Sequence, residues 1–166
     1  MDLILFNTKA KIGHHGFYYS RLLNMMLSHR IELDPTNAQA SHLAQAAGVA
    51  RFAYNWALGQ WNDIYQLHKL DPDVVPTSEA ELRRALNALK REHYPWMMKV
   101  TKCAPQMAIK NLGKAFDNFF AGHSGYPRFK VKGRDDRFTL SNDQFRVDGS
   151  HIHIPKLKWV RMREPL

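Results

Sequence analysis

The chain has 166 residues, of which 45% are hydrophobic and 23% charged, values that are typical of a globular protein with its own core. Its 24 Lys and Arg residues against 15 Asp and Glu give a formal net charge of +9, which favours a polyanionic partner such as nucleic acid. The single cysteine, Cys103, excludes an internal disulfide framework and a cysteine-based zinc site, and no run approaches the ~20 apolar residues of a membrane span. We therefore expect a cytoplasmic protein with no membrane partner.

A strand is expected to open the domain. Residues 1–25 are predicted to be a poorly specified extension, because the first regular pattern begins only after Met25 and Met26. From Leu27 to Leu33 apolar and polar side chains alternate, which indicates a β-strand. The sequence Asp34-Pro35-Thr36 then ends the strand and supplies a helix cap.

The first predicted helix carries two apolar stripes. One stripe repeats at steps of three and four between Leu43 and Tyr65. Phe52 and Trp56 form a second stripe on the opposite side, with Arg51 and Asn55 between the two stripes. Two stripes are typical of a helix packed between other elements, and the alternative is a helix that presents rings for stacking.

Two more helices are predicted to follow. Ser78 and Glu81 have the capping-box spacing, so a second helix begins there, and Tyr94-Pro95 ends it. A third helix is expected from about Thr101 to Ala121, with a stop at Gly122–Gly125. Its apolar face includes Phe116, Phe119 and Phe120, and its polar face consists of Lys110, Asn111, Lys114, Asp117 and Asn118.

The remainder of the chain predicts short strands separated by turns. The predicted strands are Arg137–Leu140, Phe145–Val147, His151–Ile154 and Trp159–Met162. The segment from Val147 to His151 is typical of a hairpin turn. His151 and His153 share one face of their strand, and a packed or solvent-facing pair is favoured over a metal site, because the remaining ligands are missing.

Positive charge is concentrated in one region. Residues 82–137 hold 13 Lys and Arg but only 4 Asp and Glu, whereas the rest of the chain is balanced. The densest part is residues 126–134, called here the basic segment. In an extended conformation it places four cations on one side, and Phe129 and Val131 on the other. The four cations are Arg128, Lys130, Lys132 and Arg134.

Nucleic-acid binding is the favoured interpretation of this charge, because a row of cations contacts a phosphate backbone well. A solvated strand edge protected by its lysines is the alternative for the basic segment. Lys110, Lys114 and Asn118 on the third helix are further candidate contacts. Arg51 and Asn55 are candidates as well, with a plain surface pair on the helix as the alternative.

Several of these segments resemble the OrfB/TnpB-type insertion-sequence transposases. The similarity extends over about residues 29–166 and keeps the order and the spacing of its motifs. The motifs are ARFAYNWAL at 50–58, YPW at 94–96, NLGKAFDNFF at 111–120, GYPRFKVKGR at 125–134 and IPKLKWVR at 154–161. Pro105 departs from the family pattern, in which an apolar helix former is usual.

The resemblance implies the amino-terminal half of a protein similar to compact RNA-guided nucleases. The implied fold is α+β, with a three-helix insertion in a small, partly incomplete oligonucleotide-binding-like β-barrel. Residues 26–35 and 123–166 would form this wedge-type barrel, and residues 36–122 the helical recognition domain. A helix-turn-helix element is also implied.

The resemblance further implies DNA and RNA as partners, namely a guide-RNA scaffold and the DNA that flanks the target. The family's RuvC-like nuclease, with divalent metal and zinc, is expected beyond residue 166. We therefore expect no catalytic residue, no metal site, no cofactor and no cleavage by this chain alone. The alternative is an inactive structural remnant of a transposase that has lost nucleic-acid binding.

Overall fold

The computed structural model describes residues 2–7 and 27–165, and it has the α+β composition that the sequence predicts. Predictions that concern residues 8–26 lie outside the described residues. The elements in chain order are β1 (Asp2–Asn7), β2 (Leu27–Asp34), α1 (Asn37–Leu70), α2 (Glu79–Leu89), a 3-10 helix (Pro95–Lys99), α3 (Cys103–Phe120), β3 (Arg146–Asp148), β4 (His151–Ile154) and β5 (Lys158–Met162).

The described strands form one antiparallel sheet with the order β1-β2-β5-β4-β3. The first six residues of β2 pair with β1, and its last two residues, Leu33 and Asp34, pair with Met162 and Arg161 of β5. All three helices lie between β2 and β3 in the sequence. Sheet formation therefore brings the two ends of the described chain together. Strand β1 falls within the residues that we expected to be an extension, and it was not predicted from the sequence.

Local signals set the helix starts and the hairpin as predicted. Thr36 and Ser78 cap α1 and α2, each through a reciprocal capping box with the residue three positions later. Gly122, at φ +74°, follows the end of α3, and Gly149, at φ +52°, turns β3 into β4. Helix α2 ends at Leu89, earlier than expected, and hydrogen-bonded turns continue from there to Tyr94.

Two clusters of buried side chains make up the core. The larger cluster joins the three helices, and α1 and α3 contribute most of its side chains. The smaller cluster joins the inner face of the sheet to Leu43, in the early part of α1. Phe138 packs against both clusters, so it links the helical layer to the sheet.

The two stripes of α1 confirm that this helix is packed between other elements. Its main stripe is buried in the larger cluster, while Phe52 on the other side contacts the rings of Tyr94 and Trp96 at centroid distances of 4.9 and 5.0 Å. Trp56 also packs against the cluster. Helix α1 is 34 residues long and uninterrupted.

Two sequence predictions were wrong. Residues 137–140 do not form a strand, although Phe138 and Leu140 are partly buried and Arg137 and Thr139 are exposed. No described strand pairs with this segment. Phe120, predicted to lie in the core with the rest of the apolar face of α3, is not in the core, since it is the last residue of α3 and 65% exposed, whereas Phe116 is buried.

Candidate nucleic-acid interface

The basic segment and the turn after it lie antiparallel along one side of α1. Three polar side chains of α1 hold them there, and each meets a different point of the chain. Asn62 accepts a 2.6 Å hydrogen bond from the Tyr126 hydroxyl, Asn55 binds the backbone of Lys130, and Arg51 forms an ion pair with Asp136. Residues 51, 55 and 62 share one helix face because they are separated by multiples of a turn.

Asn55 is bonded through both ends of its carboxamide. Its Nδ2 donates to the Lys130 carbonyl oxygen at 2.9 Å, and its Oδ1 accepts from the Lys130 amide at 2.7 Å. In an antiparallel sheet, a residue on the neighbouring strand makes the same pair of bonds with its backbone. Here the Asn55 side chain takes the place of that residue. The Asn55 carboxamide and the Arg51 guanidinium are thus already bonded to other groups of the protein. This arrangement is neither of the two alternatives for these residues, which were contact with bases or phosphates and a plain surface pair on the helix.

Two carboxylates organise the turn that follows the basic segment. The Asp135 carboxylate accepts a hydrogen bond from the Val131 amide at 2.9 Å, and the Asp136 carboxylate accepts one from the Gly133 amide at 2.8 Å. The Val131 amide, followed by Lys130, Arg134 and Arg137, lowers the pKa of Asp135 below its ordinary value. These contacts therefore favour the ionised form of Asp135.

The basic segment does not have the two-sided arrangement predicted for an extended strand. Lys130 points inward, with Nζ 5.0 Å from the centre of the Tyr54 ring and 3.9 Å from a carboxylate oxygen of Asp135. Phe129 and Val131, predicted to lie on the side opposite the cations, are each 55% exposed. The reason is that the segment is irregular and is held by Asn55, so the period of a regular strand does not apply.

The other three cations of the basic segment are exposed. They are Arg128, Lys132 and Arg134. Among residues 27–165, none of the three forms an ion pair with an acidic side chain within 4.0 Å. These three guanidinium and ammonium groups are accordingly available to phosphates.

Helix α3 exposes the polar face that its sequence predicts. Lys110, Lys114 and Asn118 are all exposed, as are Asn111 and Asp117. The opposite face is buried in the helical core through Ile109, Leu112 and Phe116. Helix α3 also positions the start of the basic segment, because Tyr126 contacts the rings of Phe116 and Phe119 edge-on at 5.5 and 5.2 Å.

A cleft lies between α1, α3 and residues 130–139, with a volume of about 380 Å³. Its lining includes the polar side chains of Arg51, Asn111, Lys130, Asp135 and Arg137, together with Tyr54 and three alanines. Burial, and to a lesser degree the Asp135 charge, raises the pKa of Tyr54 above its ordinary value, so its hydroxyl stays protonated. Because both border the cleft, the polar face of α3 and the turn after the basic segment lie next to each other on one surface.

Other candidate residues lie elsewhere. His151 is exposed, and His153 is half-buried beside Trp159. The described residues, 2–7 and 27–165, contain no group of three or more His, Cys, Asp or Glu side chains that could hold a metal ion. In the same part of the chain, no helix has the length and apolarity needed to span a membrane.

Sequence reasoning missed the groups that shape this surface: Asn62, Asp135 and Asp136. In the sequence, Asp135 and Asp136 were considered only as negative charges that reduce the net charge of the basic region. Their position two and three residues after Gly133 was the available signal, because aspartates near a glycine commonly accept backbone hydrogen bonds in turns. Asn62 offered no signal, since its partner Tyr126 is 64 residues away.

One protein family matches part of the chain. Residues 25–69 match the family described as a helix-turn-helix domain of the OrfB, IS605 type. Within that range the described residues form β2 and nearly all of α1, which runs without a break from Asn37 to Leu70. The matched segment thus contains one long helix rather than two helices joined by a turn.

Curated relatives extend the similarity beyond this segment. The chain is 28% identical over 137 residues to InsQ of Escherichia coli (strain K12), whose name places it among the RNA-guided DNA endonucleases; the match covers 81% of this chain and 33% of InsQ. It is 32% identical over 121 residues to a Streptomyces pristinaespiralis protein with a name of the same kind, covering 68% of this chain and 29% of that protein. The chain thus spans about a third of the length of these relatives.

A shorter relative is matched over nearly its full length. The virulence protein VsdF of Salmonella dublin is 32% identical over 117 residues, which cover 65% of this chain and 95% of VsdF.

Proposed function

This chain belongs to the OrfB/TnpB family of insertion-sequence transposases, and we propose that it acts as a nucleic-acid-binding unit of such a protein. The proposed contacts are the exposed cations of the basic segment, together with Lys110, Lys114 and Asn118 of α3. Arg51, Asn55 and Lys130 serve this surface indirectly in the proposal, by fixing the basic segment against α1.

One observation carries the proposal. Arg128, Lys132 and Arg134 project from a segment that is fixed to α1 at three points, and no acidic side chain among residues 27–165 pairs with them. Fixing the backbone reduces the conformational entropy lost on binding, since the cations are presented in advance. Phosphate contact by such cations releases condensed counterions, which makes affinity strongly dependent on salt.

The finer assignment concerns two partners. The names of InsQ and of the Streptomyces protein refer to RNA guidance and DNA cleavage. We propose that this chain contacts a structured guide-RNA scaffold and the duplex next to the DNA target. Residues 26–35 and 123–166 would act as a wedge-type unit related to an oligonucleotide-binding barrel, and residues 36–122 as a helical recognition unit. The pairing of β2 with β5 supports this division, because it closes a sheet across the helical segment.

The test is a salt titration of binding. We expect the protein to bind a short DNA duplex and a hairpin RNA, with log affinity falling linearly with log salt between about 50 and 200 mM. Neutralising the three exposed cations together (Arg128→Gln, Lys132→Gln, Arg134→Gln) should reduce the duplex slope by up to about 0.9 per lost phosphate contact. The matched control exchanges the same cations for one another (Arg128→Lys, Lys132→Arg, Arg134→Lys) and should keep the slope.

Two results would contradict the proposal at different levels. An unchanged slope in the neutralised protein would remove the basic segment from the interface. Absence of any binding by the unmodified protein at low salt would instead support the alternative of an inactive remnant.

A further inference from the structure

A row of three side chains crosses the outer face of the sheet. Arg146 on β3 lies directly opposite His153 on β4, which in turn lies opposite Trp159 on β5. Residues that face each other across antiparallel strands point to the same side of the sheet. The row therefore lies on the face opposite to Ile152, Ile154 and Val160, whose side chains are buried against the smaller core cluster.

Trp159 provides an exposed aromatic ring in this row. Trp159 is 44% exposed on the outer face of β5, an inner strand of the sheet, so a large part of its surface faces solvent. The His153 ring contacts it edge-on, at a centroid distance of 5.3 Å. Gln39 of α1 donates a 2.9 Å hydrogen bond to the Trp159 carbonyl oxygen, which helps to fix the backbone at this residue.

Arg146 supplies the charge of the row. It is exposed, and within the described part of the chain no ion pair is found for it. The neighbouring row of the sheet contains acidic as well as basic side chains. It consists of Asp148, His151, Arg161 and Asp34, and Arg161 lies 3.9 Å from an Asp34 oxygen. Anion contact is accordingly favoured on the Trp159 row and not on its neighbour.

We propose that Arg146, His153 and Trp159 form a second nucleic-acid site, which binds an unpaired strand by stacking a base on Trp159 and contacting its phosphate through Arg146. An indole, an imidazole and a guanidinium are the side chains on which splayed bases stack. Bases in a duplex are already stacked on each other, so this surface selects single-stranded over double-stranded nucleic acid. The inference rests on the proposed function, but it shares no residue with the surface formed by α3 and the basic segment.

The experiment measures binding of a labelled strand of about 12 uridines and, in parallel, of a duplex of the same length. Trp159→Ala should weaken single-strand binding about 5- to 100-fold, because stacking of one base is lost, and should leave duplex binding unchanged. Trp159→Phe should recover much of the loss. Arg146→Gln should lower the single-strand salt slope by about 0.7, a change that loss of stacking alone does not produce.

Phe120→Ala is the matched control, because Phe120 is a more exposed aromatic side chain, on α3 rather than on the sheet. It should leave single-strand binding intact. If Trp159→Ala binds the uridine strand as well as the unmodified protein does, or if it loses duplex and single-strand affinity equally, the inference is overturned while the proposed function stands. If the unmodified protein binds neither nucleic acid, both fail together.

Discussion

Asn55 on α1 and Lys130 in the basic segment are joined by two hydrogen bonds that mimic a step of a β-ladder, at 2.7 and 2.9 Å. The two residues are 75 positions apart in the sequence. Together with the contacts of Asn62 and Arg51, this contact determines where the basic segment lies, because the segment has no neighbouring strand of its own.

Asn55→Ala should release the basic segment from α1. Two partly buried hydrogen bonds are lost, so we expect the free energy of unfolding to fall by about 1–3 kcal/mol. Hydrogen exchange of the Lys130 amide, followed by nuclear magnetic resonance, should accelerate at the same time. Asn111→Ala is the control, because Asn111 is exposed and makes a hydrogen bond of only 3.5 Å to Thr139. Unchanged protection of the Lys130 amide in Asn55→Ala would show that the segment is held by other contacts.

Charge changes on the polar face of α3 should act in opposite directions. Lys110→Gln combined with Lys114→Gln should lower duplex affinity at low salt and reduce the salt slope by up to about 1.8, if each lysine contacts one phosphate. Asp117→Asn, on the same face, should raise duplex affinity because it removes a repulsive charge. Circular dichroism should show equal helix content in both proteins. Equal duplex affinities would place this face outside the interface.

Acid should weaken the turn that Asp135 organises. The pKa of Asp135 is lowered in the folded protein, mainly by the Val131 amide, so the ionised carboxylate stabilises the fold above its unfolded pKa of about 3.9. That stabilisation is lost as the pH falls from about 4 through the lowered folded pKa. Asp143 and Glu81 have lowered pKa values too, through hydrogen bonds from Ser141 and Ser78 respectively, and they contribute in the same direction.

Asp135→Asn therefore should lose less stability on acidification than the unmodified protein does. Urea unfolding between about pH 5 and pH 3 measures the difference, while Asp143→Asn identifies the share of Asp143. If Asp135→Asn and the unmodified protein lose stability in parallel, the charge of Asp135 does not support the turn.

Two glycines offer a matched test of helix packing. A Cβ at Gly113 would lie 2.9 Å from Cβ and 3.1 Å from Cγ of Glu79 on α2, whereas a Cβ at Gly59 on α1 would meet nothing within 4 Å. Gly113→Ala should lower the free energy of unfolding by about 1–2 kcal/mol, because overpacking exceeds the gain in helix propensity. Gly59→Ala should raise it by about 0.5–1 kcal/mol. Chemical denaturation checks both values, and equal stabilisation by the two changes would show that α2 moves away at little cost.

Local patterns predicted the parts of the fold that depend on neighbouring residues. The helix cap at Thr36, the capping box at Ser78, the stop at Gly122 and the hairpin at Gly149 are all set within a few positions of sequence. The double stripe of α1 likewise predicted a helix covered on two sides, because periodicity records burial directly.

The candidate site was less predictable because its geometry depends on distant pairs. A period-two pattern predicts the facing of side chains only where a strand is regular. The basic segment is fixed instead by Asn55, Asn62 and Arg51, and no local signal connects these residues to their partners. This explains why Lys130, predicted to share one side of the segment with the other three cations, lies against Tyr54 instead.

Because Phe138 packs against both core clusters, we expect the stabilities of the two clusters to be coupled. Melting of the sheet would uncover one side of this ring and thereby weaken the helical layer as well. Heating should therefore produce a single sigmoidal transition, with the same midpoint by far-ultraviolet circular dichroism and by tryptophan fluorescence.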